Sequence, residues 1–254
     1  MKKILITAGP TNEYIDEVMK ITNMSTGRLG IELTRNFLES GEQVTLIGTR
    51  SVFRSGLFEK YHLAGHKNLR SIPIETTQDM FLALEQESKN EYDLVIHSSA
   101  VGDYKPEFSF RMEDLAKELV EAIASGQTTE EEILSILTNP SCKVDDDTKI
   151  SSYEPHLTVK LTLTPKLISN LRNWYPNATL VGFKLLENVT KEHLLEVARK
   201  LCDKNNMDYI IANDLADLRQ GQHLSFLVNK EGYQNTEFHS PEDIYQKTKS
   251  FIQK

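Results

Sequence analysis

The stretch from residue 4 to residue 30 constrains the fold of this chain more than any other part of the sequence. It opens with the apolar run ILI at 4–6, which leads into the small residues TAG at 7–9 and then Pro10. A buried parallel strand that meets a ligand-binding loop has this pattern, because small residues let a ligand approach the backbone closely. We therefore expect a functional site at the carboxyl end of this strand.

A Ser/Thr/Gly-rich turn, NMSTGRLG at 23–30, then opens an amphipathic helix. Its apolar residues recur at helical spacing and share one face: Ile31, Leu33, Phe37 and Leu38. The free backbone N–H groups and the positive dipole end of such a helix start suit a phosphate. An ordinary helix cap with Ser25 or Thr26 as the capping residue explains the same residues equally well, so both interpretations stand.

The usual dinucleotide fingerprint is missing from this stretch. A GxGxxG turn follows the first strand almost at once, whereas here roughly a dozen residues separate Gly9 from Asn23. That connection is too long for a tight dinucleotide turn. The stretch therefore predicts a nucleotide-binding type of fold that holds something other than NAD.

Composition excludes several classes of protein. The net charge of −8 argues against nonspecific nucleic-acid binding, so an anionic substrate needs a local cluster of positive groups. Two cysteines, Cys142 and Cys202, are too few for a disulfide framework or a Cys-rich zinc site and favour a reducing cytoplasm. The sequence has no apolar run long enough to span a membrane and no signal-like start, so no membrane partner is expected.

Apolar and amphipathic segments alternate along the 254 residues, which predicts an α/β fold. We expect a Rossmann-like, doubly wound, mainly parallel sheet with helices on both faces. The predicted strands after the first are 43–49, 70–76, 93–96, 157–163, 179–186, 208–214 and 224–230. The predicted helices after the first are 78–89, 112–124, 130–137, a helix that begins at Pro165, 190–205 and 241–252.

One segment, 107–148, is acidic and differs from the rest. We expect a single domain over 1–254, with this segment as an insertion or lid over the edge of the sheet. The run of aspartates at 145–147 is interpreted as a solvated charge run rather than a metal site.

Six ordered blocks resemble the motifs of the phosphopantothenate–cysteine ligase family: ITAGPTNEYID, ITNMSTGRLG, SSAVGDYKP, a lysine before LTVKLTLTPKLI, LVGFKLLEN and YIIAND. The resemblance implies a ligase of coenzyme A synthesis that joins 4′-phosphopantothenate to cysteine through an acyl nucleotidylate, with release of pyrophosphate. It implies CTP as co-substrate in bacterial members and ATP in eukaryotic ones, Mg²⁺, and a homodimer in the cytoplasm. No flavoprotein decarboxylase domain precedes the first strand, so a stand-alone bacterial form is expected.

The resemblance also assigns roles to individual residues. The implied catalytic residues are Asn23, which holds the acyl phosphate intermediate by donating from its amide, and Lys149 as a mobile positive charge. The implied nucleotide-binding residues are Gly9, Asp103, Pro165, Lys166, Leu167, Ile168, Phe183, Lys200 and Lys204. The implied substrate-binding residues are Lys20, Ser25, Thr26, Gly27 and Ala100.

Three departures from the family pattern leave alternatives open. Met19 stands where an arginine is common, and the neighbouring Lys20 supplies a charge but no bidentate guanidinium. Serines at 151–152 replace further lysines, which leaves ATP as an alternative to CTP. The long segment 107–148 leaves Lys143 as an alternative to Lys149. An NAD(P)-dependent reductase and a non-catalytic nucleotide-sensing module are the competing functions.

Overall fold

The computed structural model describes residues 1–144, 150, 153 and 155–253, and these residues divide into two compact units. The first unit consists of Met1–Thr11, Asn23–Val101 and Pro165–Lys254. The second unit consists of Asn12–Thr22 and Gly102–Thr164. The chain therefore leaves the first unit twice and returns to it twice. Lys149 and the aspartates at 145–147 lie outside the described residues.

The strands, in chain order, are β1 (Lys3–Ala8), β2 (Asn12–Tyr14), β3 (Lys20–Thr22), β4 (Gln43–Thr49), β5 (Leu69–Ile74), β6 (Leu94–His97), β7 (Tyr104–Arg111), β8 (Lys143–Val144), β9 (Leu157–Leu163), β10 (Thr179–Leu186), β11 (Tyr209–Asp214), β12 (Ser225–Asn229) and β13 (Gly232–Phe238). The helices are α1 (Arg28–Glu39), α2 (Arg50–Phe53), α3 (Gly56–Lys60), α4 (Thr77–Glu87), α5 (Met112–Ala124), α6 (Glu130–Thr138), α7 (Leu171–Trp174), α8 (Lys191–Lys204), α9 (Leu215–Arg219) and α10 (Pro241–Ser250). A 3₁₀ turn, Leu167–Ser169, precedes α7.

The first unit is built on one sheet, in which the described residues form eight strands in the order β13-β12-β11-β10-β6-β1-β4-β5. In this order, each strand from β11 to β5 pairs in parallel with the next. Strands β12 and β13 add to the β11 edge of the sheet by antiparallel pairing. The interior strands read as continuous apolar runs because helices cover both of their faces. Ile4 and Ile6 pack with Ile31 and Phe37 of α1 on one face. Neighbouring strand residues pack with α4 and α8 on the other face.

This architecture confirms the predicted α/β fold with a mainly parallel, doubly wound sheet and helices on both faces. The predicted bounds 43–49, 157–163 and 179–186 coincide with strands β4, β9 and β10. The helix predicted at 112–124 coincides with α5. The apolar periodicity of the sequence was sufficient to give these bounds.

The helix predicted to begin at Pro165 is replaced by the 3₁₀ turn and the short α7. The hydroxyl of Ser169 donates to the carbonyl oxygen of Lys166 at 2.7 Å, and the Asn170 amide donates to the same oxygen at 3.1 Å. Side chains thereby occupy a carbonyl that a continuous helix would offer to a backbone N–H. The local side-chain bonds explain why one longer helix does not form.

The second unit contains an antiparallel sheet in the order β8-β7-β9 and a separate pairing of β2 with β3. Strand β7 was not predicted, because Pro106 lies within it and proline is unfavourable in a strand interior. The register between β7 and β9 shifts between Pro106 and Phe108, so the proline lies at an irregularity. Phe108, Phe110 and Leu115 of α5 form the small core of this unit.

The start of α1 approaches β1 more closely than any side chain would allow. A Cβ atom on Gly30 would lie 2.5 Å from the Cβ of Ala8 and 3.3 Å from its Cα. A Cβ on Gly27 would lie 3.0 Å from the nitrogen of Gly9. The helix therefore packs on the strand end only because these positions are glycine.

Gly30→Ala is expected to lower the free energy of unfolding by about 1–3 kcal/mol, because the added methyl overlaps Ala8 within a packed core. Gly56→Ala is the control: a Cβ there would meet nothing within 4 Å, so the change should stay within about 1 kcal/mol. Denaturant titration of both variants and the parent measures the difference. Equal stability of the two variants would contradict the close contact of α1 with β1.

Candidate functional site

The candidate site lies at the carboxyl ends of β1 and β6, where the strand order of the sheet reverses. From β1 the chain continues to β4 and β5 on one side, whereas β6, β10 and β11 follow one another on the other side. The loops after two such strands leave in opposite directions and open a crevice between them. The sequence prediction of a site at the end of the first strand therefore coincides with the switch point of the sheet.

Backbone hydrogen bonds join the loops that follow these two strands. The N–H of Ala100 donates to the carbonyl oxygen of Gly9 at 3.0 Å, and the N–H of Thr11 donates to the carbonyl oxygen of Ala100 at 3.3 Å. Pro10 and Ala100 form an isolated parallel bridge. The predicted residues Gly9 and Ala100 are therefore direct neighbours.

Gly9 and Gly27 form the floor of the crevice. Both have the left-handed backbone conformation, with φ of 82° and 72°. A Cβ on either residue would overlap Val52, at 2.4 Å from its Cγ2 for Gly9 and 2.8 Å for Gly27. Neither position tolerates a side chain, and both residues are buried, so their backbones pack tightly where the end of β1 meets the start of α1.

The N-cap of α1 is Gly27, not Ser25 or Thr26, and it receives no side-chain capping bond. The Ser25 hydroxyl accepts from the N–H of Gly27 and the Thr26 hydroxyl from the N–H of Arg28, each at a long 3.4 Å. The interpretation of either residue as the ordinary cap is therefore wrong. The first turn of α1 keeps backbone donors for an anion, as a phosphate site requires.

Asn23 lies in the first unit, where its side chain contacts the loop after β6. Its Nδ2 donates to the carbonyl oxygens of Ala100 and Val101, both at 3.1 Å. Two carbonyl acceptors require the NH₂ end of the amide at this position, which assigns the orientation of the side chain. Both amide hydrogens are therefore bonded within the protein, and Oδ1 is the side-chain atom of Asn23 that can accept from a ligand.

His97, at the end of β6, is buried and neutral. Its Nδ1 lies 2.9 Å from the hydroxyl oxygen of Thr7, which also accepts from the N–H of Ser99 at 3.2 Å. Which of the two groups donates depends on the tautomer of the ring, since the Thr7 hydroxyl can both donate and accept. Burial lowers the pKa of His97 to about 4. This histidine has a hydrogen-bond partner at the strand end.

Phe183 and Ile168, both implied to bind nucleotide, belong to opposite faces of the sheet. Phe183 packs against the apolar cluster that contains α1, whereas Leu167 and Ile168 pack with the cluster on the other face. A Cβ on Gly182 would lie 3.3 Å from the Cδ1 of Ile168, so this glycine allows Ile168 to approach the strand closely. Pro165 and Lys166 precede the 3₁₀ turn, and Lys166 is exposed.

Lys200 and Lys204 are not brought to this end of the sheet. Both lie in the last turns of α8, and the chain then enters β11 at its amino end. Since β10 and β11 are parallel, the end of α8 lies at the amino edge of these strands. The ammonium of Lys200 pairs with Glu196 at 2.7 Å. A role of these lysines in nucleotide binding stays a prediction.

The remaining predicted residues belong to the second unit. Lys20 begins β3 and is exposed, and Asp103 is exposed with its carbonyl oxygen accepting from the N–H of Thr164 at 3.1 Å. The ammonium of Lys143 donates to Asn139 at 2.6 Å and lies 4.6 Å from the centre of the Phe108 ring. These contacts already engage Lys143. Lys149 lies outside the described residues.

Two observations bear on alternative chemistry. Among the residues that the structure describes, no group of three or more His, Cys, Asp or Glu side chains is placed to hold a metal ion. Cys202 is buried in α8, and burial raises the pKa of its thiol to about 11, which agrees with a packing role rather than a nucleophile.

No helix in the described part of the chain combines the length and the apolar composition needed to cross a bilayer.

Comparison with known proteins identifies the family. The model of the DNA/pantothenate metabolism flavoprotein C-terminal domain matches residues 1–139 and 139–244. The chain belongs to this family. A solved family structure, the DNA/pantothenate metabolism flavoprotein from Streptococcus pneumoniae, is 33% identical, with a TM-score of 0.78 over 100% of this chain and 99% of that one.

Family relatives include bifunctional enzymes. The coenzyme A biosynthesis bifunctional protein CoaBC of Thermococcus kodakarensis is 30% identical over 231 residues, which cover 91% of this chain. The chain spans 45% of that relative's length. The C-terminal domain of a CoaBC protein has the same fold at 21% identity, with a TM-score of 0.63 over 99% of this chain and 93% of that one.

Sequence reasoning missed Ser98 and Gly30 as parts of the site. The Ser98 hydroxyl donates to the carbonyl oxygen of Thr7 at 2.6 Å and would lie 3.2 Å from a Cβ on Gly30. Ser98 thus joins β1, β6 and α1 at the switch point. The spacing of Gly27 and Gly30, one helical turn apart, was the available signal, since both face the same strand end.

The stability of the protein is expected to fall as the pH drops from about 6.5 to about 4 because of His97. The unfolded chain binds a proton at the ordinary histidine pKa, whereas the folded protein resists it, so up to about 3 kcal/mol is lost across this window. Above pH 6.5 this contribution is fully present. Denaturant titration at several pH values gives the free energy of unfolding as a function of pH. Between about pH 4 and pH 6.5 this free energy should change less with pH in His97→Gln than in the parent. His223→Gln, at an exposed histidine, is the control. The same pH dependence of the unfolding free energy in both variants would contradict the role of His97.

Proposed function

We propose that this chain is a phosphopantothenate–cysteine ligase of coenzyme A biosynthesis. The carboxylate of 4′-phosphopantothenate attacks the α-phosphorus of CTP and releases pyrophosphate. The amine of cysteine then attacks the acyl carbonyl of the cytidylate and releases CMP, which gives phosphopantothenoylcysteine. The observation that carries the proposal is the glycine-floored crevice at the switch point, with Asn23 beside it, in a chain of this family.

The relatives support this reaction class. The Thermococcus kodakarensis relative is described as a coenzyme A biosynthesis protein, and a Cab2 variant with the same fold, at 17% identity, forms a complex with phosphopantothenate-cysteine. The crevice suits such substrates, because phosphate groups bind well to backbone N–H groups at a helix start. The NAD(P)-dependent reductase has no comparable support from the family.

In the proposed mechanism, the chain acts mainly by positioning and by electrostatic stabilisation. The first turn of α1, with Ser25 and Thr26 beside it, binds phosphate oxygens through N–H groups, and the close packing of Gly9 with Gly27 holds this turn at the end of β1. Local dipoles of this kind hold an anion in spite of the net charge of −8. Lys149 supplies positive charge to the phosphoryl group, and Lys20 and Asp103 contact substrate and nucleotide. Phe183 and residues 165–168 contact the base.

The orientation of Asn23 changes its expected role. The resemblance implies that its amide donates to the acyl phosphate, whereas in the ligand-free chain both amide hydrogens are bonded to Ala100 and Val101. Its Oδ1 is an acceptor, and an acceptor suits the N–H groups of the cysteine amine that attacks the intermediate. We propose that Asn23 orients the nucleophile of the second step.

We further propose that Mg²⁺ enters with the nucleotide. Magnesium in nucleotide enzymes is held largely by phosphate oxygens and water, and the described residues offer no cluster of metal ligands. CTP is the proposed co-substrate, with ATP as the alternative that the serines at 151–152 leave open. A cytoplasmic homodimer belongs to the same proposal.

The first test is pyrophosphate release with phosphopantothenate and Mg²⁺, with CTP or ATP, and with or without cysteine. Lys149→Gln should lower the rate of release by about 100-fold or more, because a charge that stabilises the transferring phosphoryl group is lost. Lys143→Gln is the matched control and should retain activity within about threefold, since its ammonium already contacts Asn139 and Phe108.

Asn23→Asp should release pyrophosphate but form product at least about 10-fold more slowly, because a carboxylate cannot donate to the two carbonyls. Release that does not depend on phosphopantothenate would overturn the ligase. Nucleotide binding without release would indicate a sensing module instead. Equal loss in Lys149→Gln and Lys143→Gln would contradict the choice of Lys149.

We propose that residues 107–148, expected as an insertion within a single domain over 1–254, act as a lid. Helix α6 has no buried residue, and α5 buries Leu115 and Ala122, so these helices pack on a small core. Trypsin cleavage after the exposed Lys117 should slow at least about threefold when CTP and Mg²⁺ are present, because ordered segments resist proteolysis. NADPH is the control ligand. Equal cleavage rates with CTP and without ligand would contradict the lid.

A further inference from the structure

Asp16 is a buried carboxylate of the second unit that joins distant parts of the chain. It is 5% exposed. The N–H groups of Val18 and Met19 donate to its Oδ1 at 2.7 and 2.6 Å. The N–H of Ile150 donates to its Oδ2 at 3.1 Å, across 134 residues of sequence. Both oxygens of one side chain therefore bind backbone groups of separate segments.

Each of these segments leads directly to residues of the proposed ligase. The turn at 16–19, closed by a bond from the N–H of Ile15 to the carbonyl oxygen of Met19 at 2.9 Å, ends where Lys20 begins β3. Asn23 follows that strand in the chain. Ile150 is 6% exposed and is the residue directly after Lys149. One carboxylate thus holds the backbone beside both lysines.

The way in which Asp16 uses its oxygens distinguishes it from a simple turn former. An aspartate that stabilises a turn needs one oxygen, which accepts from N–H groups two or three residues on, as Oδ1 does here. The second oxygen is directed to Ile150 instead. A bond to a peptide N–H fixes the backbone itself, so it also limits where the preceding residue can place its side chain.

We propose that Asp16 is a positioning residue of the ligase, which ties the turn before Lys20 to the peptide that follows Lys149. The inference rests on the proposed function for its catalytic consequence. Asp16 contacts no substrate in this scheme. It acts by holding the N–H of Ile150, the residue that follows Lys149 in the sequence, and the turn that precedes Lys20.

The test is Asp16→Asn, which keeps one acceptor but turns an NH₂ group toward a backbone N–H. We expect kcat to fall ~10- to 100-fold while KM for phosphopantothenate and CTP changes less than ~3-fold, because a misplaced catalytic group slows chemistry more than binding. Hydrogen exchange at the amide of Ile150 should accelerate at least ~10-fold. Asp16→Glu, which retains the charge and both acceptors, should recover part of kcat.

Asp243→Asn is the matched control. This carboxylate also accepts from a backbone N–H, that of His239 at 2.8 Å, at the start of α10 in the first unit. It should leave kcat and the exchange at Ile150 unchanged. A loss of kcat in Asp243→Asn equal to that in Asp16→Asn would overturn the inference, because the effect would then be one of general stability.

A double variant separates positioning from a general effect on the fold. In the Lys149→Gln background, Asp16→Asn should cause no further loss of kcat, because the group that it positions is gone. In the Lys143→Gln background it should cause its full ~10- to 100-fold loss. Losses that multiply in the Lys149→Gln background would overturn the inference.

The parent protein distinguishes a failed inference from a failed function. A parent without phosphopantothenate-dependent pyrophosphate release overturns the proposed function and the inference with it. An active parent with unchanged kcat in folded Asp16→Asn, or with unchanged exchange at Ile150, overturns the inference alone.

Discussion

The contact between the start of α1 and the end of β1 is the constraint on which the candidate site depends. A Cβ on Gly30 would overlap Ala8, and Gly27 and Gly9 meet backbone to backbone. A helix so close to a strand brings its N-terminal N–H groups to the carboxyl edge of the sheet. Any side chain at these positions would move the helix away from the strand, and the crevice would lose its floor.

A second consequence of this contact concerns the excursion of the chain between Gly9 and Gly27. Residues 12–22 leave for the second unit, yet Gly27 returns to within contact of Gly9. The sequence analysis judged the connection too long for a tight dinucleotide turn, and no tight turn is present. The structure instead assembles a glycine floor from two separated positions, so the site keeps a close backbone approach without the usual fingerprint.

Neutral groups dominate the described crevice. The amide hydrogens of Asn23 are bonded to two carbonyl groups, and burial keeps His97 uncharged. Fixed dipoles and backbone donors can hold a phosphate without attracting every anion in solution. Charged residues such as Lys20 and Asp103 lie in the second unit, and Asp16 supplies the hydrogen bonds that order the backbone there.

The sequence alone determined the architecture of the first unit, since uninterrupted apolar runs such as β10 and the amphipathic face of α1 are local patterns. It also indicated the site, because small residues after β1 and polar residues after β6 must meet at one edge of a parallel sheet. It could not determine that Gly27 caps α1, that Asn23 points its NH₂ at Ala100, or that β7 tolerates Pro106. Those depend on contacts between segments far apart in the chain, such as Asp16 with Ile150, and only the tertiary structure decides which distant groups meet.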